Sequence, residues 1–286
     1  MKEEKIKLIE CPRDAMQGWK TFIPTEKKVQ YINALLEIGF DTIDFGSFVS
    51  PAAIPQMADT REVVKKLKWE RGRTKLLAII ANERGAEEAS QYDQITYLGF
   101  PFSISETFQQ RNTNSTISGS LRRVEAIQDT CMKTGKELVV YISMGFGNPY
   151  GDNYSAEIVY EWVHKLTERN IKIISLADTV GLASPDEVYN ITEHVIKLFP
   201  GTEVGVHLHS TPENWQQKLD AATRAGCLRF DGALKGIGGC PMAGDELVGN
   251  MNTEWMIHSF GKKNMLGALN KEALNRSLAI ASEIFV

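Results

Sequence analysis

The stretch Glu203-Val-Gly-Val-His-Leu-His-Ser-Thr211 reads as a β-strand that carries chemistry at its end. Val204, Val206 and Leu208 alternate, and the two-residue repeat of a strand puts His207 and His209 together on the opposite face. Neutral imidazole is a common ligand for divalent first-row cations, so the pair is a candidate metal site. Polar residues making ordinary hydrogen bonds at a strand end are the plainer alternative, and a His-x-His pair taken alone favours it. The segments on either side decide between the two.

Downstream, the pattern predicts a helix over 212–225, a short strand at 229–232 and closing helices over 253–260 and 271–284. Upstream lie a helix over 156–169, a strand at 171–176 and a helix opened by Ser184-Pro-Asp-Glu187, with an N-cap Ser, Pro at the first helical position and Glu three residues on. Earlier still, strands are expected at 6–9, 42–45, 75–80, 94–98 and 137–143. Helices over 25–39, 56–68, 84–90 and 121–134 separate them, and Gly135 is placed to stop the last. The polar run 111–120 predicts a loop, and 100–108 is apolar enough to pack on a substrate or on that loop. Strands and helices alternating over about 250 residues are what a closed (β/α)8 barrel requires, although a doubly wound open sheet shares the pattern. The expectation is an α/β fold: a TIM barrel with additional C-terminal helices, one catalytic domain over 1–286.

In such barrels the catalytic groups sit at the C-terminal ends of the strands. Polar residues fall there: Arg13 and Asp14 after the first strand, Asp44 in the second, Asp178 after the sixth, His207 and His209 on the seventh and Cys240 beyond the eighth. Convergence from separate strands is hard to explain as solvation, and it turns the balance toward a site.

Composition narrows the class. A formal net charge of -4 offers no field for nucleic acid or an anionic membrane. No apolar run approaches the ~18 residues of a membrane span, and the charged start has no apolar leader. Cys11, Cys131, Cys227 and Cys240 form no CxxC pair, which predicts reduced thiols in a cytoplasm-like compartment.

Cys11-Pro-Arg-Asp-Ala-Met-Gln17 sets a guanidinium beside a carboxylate directly after a strand. A surface ion pair is one reading. Adjacent residues on an extended chain point to opposite sides, however, so separate jobs are expected: Asp14 toward a metal, Arg13 toward an oxyanion. Gly236-Ile-Gly-Gly-Cys-Pro-Met-Ala243 is glycine-rich with a thiol at its centre. A phosphate cradle needs a helix directly behind it, whereas Pro241 follows here, so a mobile loop carrying Cys240 over the barrel mouth fits better. Asn250 is read either as an oxygen donor or as a turn residue in a Gly-Asn step. His164, His194 and His258 fall in helical segments and read as surface or packing residues, and Trp162, Trp215 and Trp255 as packing.

With these segments in hand, the chain resembles the 3-hydroxy-3-methylglutaryl-CoA lyases, within the metal-dependent lyase and acyl-transferase TIM barrels. The resemblance is carried by Pro-Arg-Asp-x-x-Gln at 12–17, Ser-Phe-Val-Ser-Pro at 47–51 with Ile-Pro-Gln-Met at 54–57, Ser105-Glu106-x-Phe108, and Ala-Asp-Thr-x-Gly at 177–181. Val-His-x-His at 206–209, Gly-x-Gly-Gly-Cys-Pro at 236–241 and Gly-Asn-x-x-Thr-Glu at 249–254 complete it. It implies metal ligands at Asp14, His207, His209 and Asn250, an enolate-binding arginine at Arg13 and a loop cysteine at Cys240. Gln17, Asp44, Ser105, Asp178 and Glu254 are expected around them, in substrate-binding or supporting positions. Asp44 stands where the family usually has Glu, Ser210-Thr-Pro-Glu213 replaces Asp-Thr-Tyr-Gly, Trp255 replaces an acidic residue, and the segment between Cys240 and Asn250 is one residue longer. These departures touch the choice of acyl substrate more than the reaction.

The implied activity is a retro-Claisen cleavage of a 3-hydroxyacyl-CoA, foremost 3-hydroxy-3-methylglutaryl-CoA, to acetyl-CoA and acetoacetate. Two imidazoles with two oxygen donors suit Mg²⁺ or Mn²⁺ in an octahedral shell better than Zn²⁺. His207 and Cys240 are the candidate acids, and Asp14 or a bound water the base. The resemblance further implies an acyl-CoA partner and a homodimer. The alternatives are a condensing enzyme of the isopropylmalate or homocitrate synthase type and a non-catalytic barrel that binds a ligand.

Overall fold

The computed structural model describes residues 5–239 and 248–286. Eight parallel strands close into a barrel in sequence order: β1 (Lys7–Glu10), β2 (Thr42–Ser47), β3 (Lys75–Ile79), β4 (Ile95–Ser103), β5 (Glu137–Ser143), β6 (Ile173–Asp178), β7 (Glu203–Leu208) and β8 (Arg229–Gly232). The barrel shuts where β1 meets β8, with Lys7 opposite Arg229 and Ile9 opposite Asp231. Closure is the expected solution for strands apolar on both faces, because it leaves no edge unpaired.

Helices α1 (Pro12–Gln17) and α2 (Thr25–Leu36) follow β1, and α3 (Thr60–Lys66) and α4 (Glu83–Ala89) follow β2 and β3. Beyond β4 come α5 (Glu106–Thr113) and α6 (Ile117–Thr134), then α7 (Ala156–Thr167), α8 (Pro185–Leu198) and α9 (Trp215–Arg224) after β5, β6 and β7. The closing pair is α10 (Thr253–Lys262) and α11 (Lys271–Ile284). The main core lies between the strands and this outer ring, while Leu77, Ile79, Tyr97, Val139, Tyr141 and Ile173 form a smaller cluster on inward-facing strand positions. Start and stop signals act as their chemistry dictates. Ser184 and Glu187 complete a reciprocal capping box, and Gly135 ends α6 in the left-handed conformation at φ 69°.

Four local expectations fail, each for an identifiable reason. The chain does not stay extended after β1: Pro12 sits at the first position of α1, so Arg13 and Asp14 lie on one helical turn. The helix expected over 56–68 is a 3₁₀ turn at Pro55–Met57 followed by α3. Phe100 and Phe102 belong to β4 and are fully buried, so 100–103 continues the strand instead of packing on a substrate. The loop expected over 111–120 is mostly helix. Thr116, one of the polar residues in that run, is the N-cap of α6, as Ser105 before it is the N-cap of α5.

Candidate active site

Asp14 enters from α1, directly beyond β1, and is buried. His207 is on β7 and His209 one step past its end. Asn250 reaches them because residues 249–251 run beside that end: Ser210 N donates to Gly249 O at 3.0 Å, Met251 N to Leu208 O at 3.0 Å, and His209 bridges Asn250. The Asn250 Nδ2 then donates to Asp14 Oδ2 at 2.7 Å and to Ile237 O at 2.9 Å. One ligating atom each from Asp14, His207 and His209 lies within 4.8 Å of the others.

Hydrogen bonding fixes both imidazoles. His209 Nδ1 lies 2.8 Å from Val248 O, which only accepts, so Nδ1 carries the proton and Nε2 a bare lone pair. His207 Nδ1 lies 3.2 Å from Asp231 Oδ2, a carboxylate oxygen, with the same consequence. The two Nε2 atoms face each other at 3.3 Å. Lone pairs held that close repel unless a cation or a shared proton stands between them. The Asn250 Oδ1 is buried and has no hydrogen-bond partner among the described residues. A carboxylate, two converging Nε2 lone pairs and an orphaned amide oxygen fit a divalent cation.

Electrostatics agree. Burial would raise the Asp14 carboxyl, but the Arg13 guanidinium and both imidazoles outweigh it and hold it down to about 2. Burial, reinforced by His207, lowers His209 to about 4, which keeps it neutral, the form in which an imidazole can bind a cation. For His207 burial works downward too, but the Asp231 carboxylate wins and the shift is upward.

Arg13 is held on several sides. Nη2 and Nε donate to Asp44 Oδ2 at 2.5 and 3.0 Å, and Nη1 donates to Asp14 Oδ1 and Gln17 Oε1, both at 2.9 Å. Gln17 Nε2 closes the ring on Asp14 Oδ1 at 2.8 Å. The two neighbours therefore meet, against the expectation that they point apart. Of the five N–H groups of a guanidinium, one on Nη2 has no partner among the described residues. Burial pushes Asp44 up to about 6 despite Arg13. Gly238 packs against the same group: at φ +113°, a Cβ there would lie 2.4 Å from Asn250 Nδ2 and 3.0 Å from Asp14 O.

Asp14, His207, His209, Asn250, Arg13, Asp44 and Gln17 are thus brought together. Asp178 stands one residue away, ion-paired at 2.7 Å with Lys218, whose Nζ also donates to His209 O at 2.9 Å. Ser105 is drawn elsewhere: it caps α5 and donates to Asp152 Oδ2 at 2.5 Å. Glu254 accepts from Lys235 N at 3.0 Å, and Trp255 packs on Trp215 with ring centroids 5.0 Å apart. His164, His194 and His258 are exposed. Cys240 and the segment after it through residue 247 lie outside the described residues. Sequence reasoning missed Asp231, although strand parity puts it on the same inward face as Arg229. It also missed Glu10, fully buried at the end of β1, which accepts from Leu234 N at 2.8 Å and Thr253 Oγ1 at 2.6 Å.

The fold and this cluster define a (β/α)8 barrel with a candidate divalent-metal centre at the C-terminal ends of its strands. The chain belongs to the HMGL-like family, whose profile matches residues 5–279. It is 33% identical over 247 residues to the hydroxymethylglutaryl-CoA lyase of Bacillus subtilis, covering 86% of this chain and 82% of that protein. The mitochondrial hydroxymethylglutaryl-CoA lyase of Bos taurus is 30% identical over 274 residues, 95% of this chain and 83% of its own. Among solved structures, an HMG-CoA lyase from Acenitobacter baumannii in complex with coenzyme A and 3-methylmalate superposes with a TM-score of 0.90 at 30% identity, covering 97% of this chain and 90% of that one.

Proposed function

We propose that this chain is a carbon-carbon lyase that cleaves 3-hydroxy-3-methylglutaryl-CoA to acetyl-CoA and acetoacetate with a divalent cation at the β7 end. The observation that carries the proposal is the pair of Nε2 atoms 3.3 Å apart beside Asp14 and Asn250, in a chain of this family. Asp14, His207, His209 and Asn250 would hold the cation, Mg²⁺ or Mn²⁺ in preference to Zn²⁺, since half the donor set is oxygen. When bound, it supplies Lewis acidity that lowers the pKa of a coordinated hydroxyl.

The residues divide the remaining work. Asp14, ionised by its neighbours, is placed to accept the 3-hydroxyl proton, directly or through water. Arg13 keeps its charge at any working pH, and its remaining Nη2 donor is the group for the thioester enolate oxygen. Asp44 and Gln17 orient that guanidinium. Cys240 is assigned the return of a proton to the enolate carbon, with His207 as the second candidate. One barrel domain over 1–286 and a homodimer complete the proposal. No helix among the described residues is long and apolar enough to cross a membrane, and a cytoplasmic setting is part of the proposal. The test is turnover: stripped protein given Mg²⁺ or Mn²⁺ should release acetyl-CoA from 3-hydroxy-3-methylglutaryl-CoA. Consumption of acetyl-CoA with a 2-oxo acid would reassign it as a condensing enzyme.

A further inference from the structure

The Cys11 thiol has no part in the mechanism above. Cys11 follows β1, is 1% exposed, and its Sγ lies with a ring nitrogen of His207 and a carboxylate oxygen of Asp231 in a group whose ligating atoms are all within 4.8 Å of one another. The 3.2 Å from His207 Nδ1 to Asp231 Oδ2 matches the edge of a tetrahedral site, about 3.3 Å for two donors ~2.0 Å from a zinc ion. Asp231 has a fully buried side chain whose Oδ1 has no hydrogen-bond partner among the described residues. Among the described residues the Cys11 Sγ makes one long hydrogen-bond contact, 3.8 Å to Ile9 O. Burial and then the carboxylates of Asp231, Asp44 and Asp14 hold the Cys11 thiol protonated, with Arg13 opposing them. Of these influences, the carboxylates are the ones that would also draw a cation to the thiol.

We propose that Cys11, Asp231 and His207 Nδ1 form a second site, selective for a thiophilic divalent cation of the Zn²⁺ or Co²⁺ class, that excludes occupation of the first. Binding requires the Cys11 thiolate and a bare Nδ1. The thiol proton leaves to solvent, and the Nδ1 proton is replaced by one on Nε2, so one proton is released per cation and no electrons move. The Nε2–H then faces His209 Nε2 at 3.3 Å and donates to it, turning the repelling pair into a hydrogen bond and removing both nitrogens from the first site. Hard, oxygen-seeking Mg²⁺ gains nothing from a thiolate, so the second site ignores it. The exclusion, though not the second site itself, rests on the first-site assignment under Proposed function.

Metal-stripped protein titrated with Co²⁺ should develop a near-ultraviolet sulfur-to-cobalt charge-transfer band and release one proton per ion, read from calorimetry in buffers of different ionisation enthalpy. Cys11→Ser should lose the band, and Mg²⁺ should produce neither signal. With Mn²⁺ bound and followed by electron paramagnetic resonance, Zn²⁺ should displace it from the wild type, and Cys11→Ser should need at least tenfold more Zn²⁺. Wild-type protein without a cobalt band overturns the site whether or not the variant folds. So does a band that survives in Cys11→Ser and disappears in Cys240→Ser. Equal displacement of Mn²⁺ in both proteins overturns the exclusion. A Cys11-dependent cobalt band in protein that binds no Mn²⁺ upholds the second site and removes the first-site assignment instead.

Discussion

Replacing Glu10 by Gln should change how stability depends on pH. Glu10 is fully buried, and burial pushes its carboxyl from 4.5 up to about 8, against the two hydrogen bonds that favour the ionised form. Between those values the folded chain keeps the proton that the unfolded chain has lost. Unfolding therefore releases a proton, and stability falls as pH rises, by about 1.4 kcal/mol per unit. Glu10's full contribution is present below pH 4.5 and is gone above about 8, a loss with a ceiling of roughly 5 kcal/mol. Gln keeps an acceptor for Leu234 N and cannot titrate. Urea denaturation of both proteins from pH 5 to 9 isolates the effect, because other groups cancel in the difference. The variant should gain on the wild type steadily up to about pH 8. A difference that stays flat across that range would show that Glu10 is ionised in the folded protein and refute the burial argument.

Three further substitutions probe the site. Arg13→Ala should lower kcat by two orders of magnitude or more with little change in KM, because the charge it meets develops in the transition state; steady-state kinetics with the acyl-CoA would show it. Lys218→Met leaves Asp178 as an unpaired buried charge, and should cost about 3–5 kcal/mol in chemical denaturation. Gly238→Ala combines a strained φ with a Cβ against Asn250 and Asp14, so calorimetric Mn²⁺ affinity should fall at least tenfold while the circular dichroism spectrum is retained.

Much of the barrel is legible along the chain because strands buried on both faces are largely apolar runs, as in 137–143, whose predicted limits match to the residue, as do those of the shorter strand 229–232 and the helix 271–284. Legibility fails where a polar residue serves the backbone. Ser105 and Thr116 each satisfy an amide at a helix start, which along the sequence is indistinguishable from a polar loop. The convergence of Asp14 with the histidine pair follows from closure, since it needs only that each residue end its own strand. Asn250 is different: the backbone pairing of 249–251 with the end of β7 places it, and no periodicity encodes that contact. Asp231 was within reach, because a charged residue at an inward position of a buried strand demands a partner, and His207 provides it.

The most direct test of the central assignment is the coordination of Mn²⁺ in the stripped protein, read as nitrogen hyperfine coupling in pulsed electron paramagnetic resonance. One bound Mn²⁺ per chain should couple to two imidazole nitrogens, and His209→Ala should remove one of them. Bound Mn²⁺ with no imidazole coupling, or a spectrum unchanged by His209→Ala, would contradict a metal centre built on the two Nε2 atoms at the end of β7.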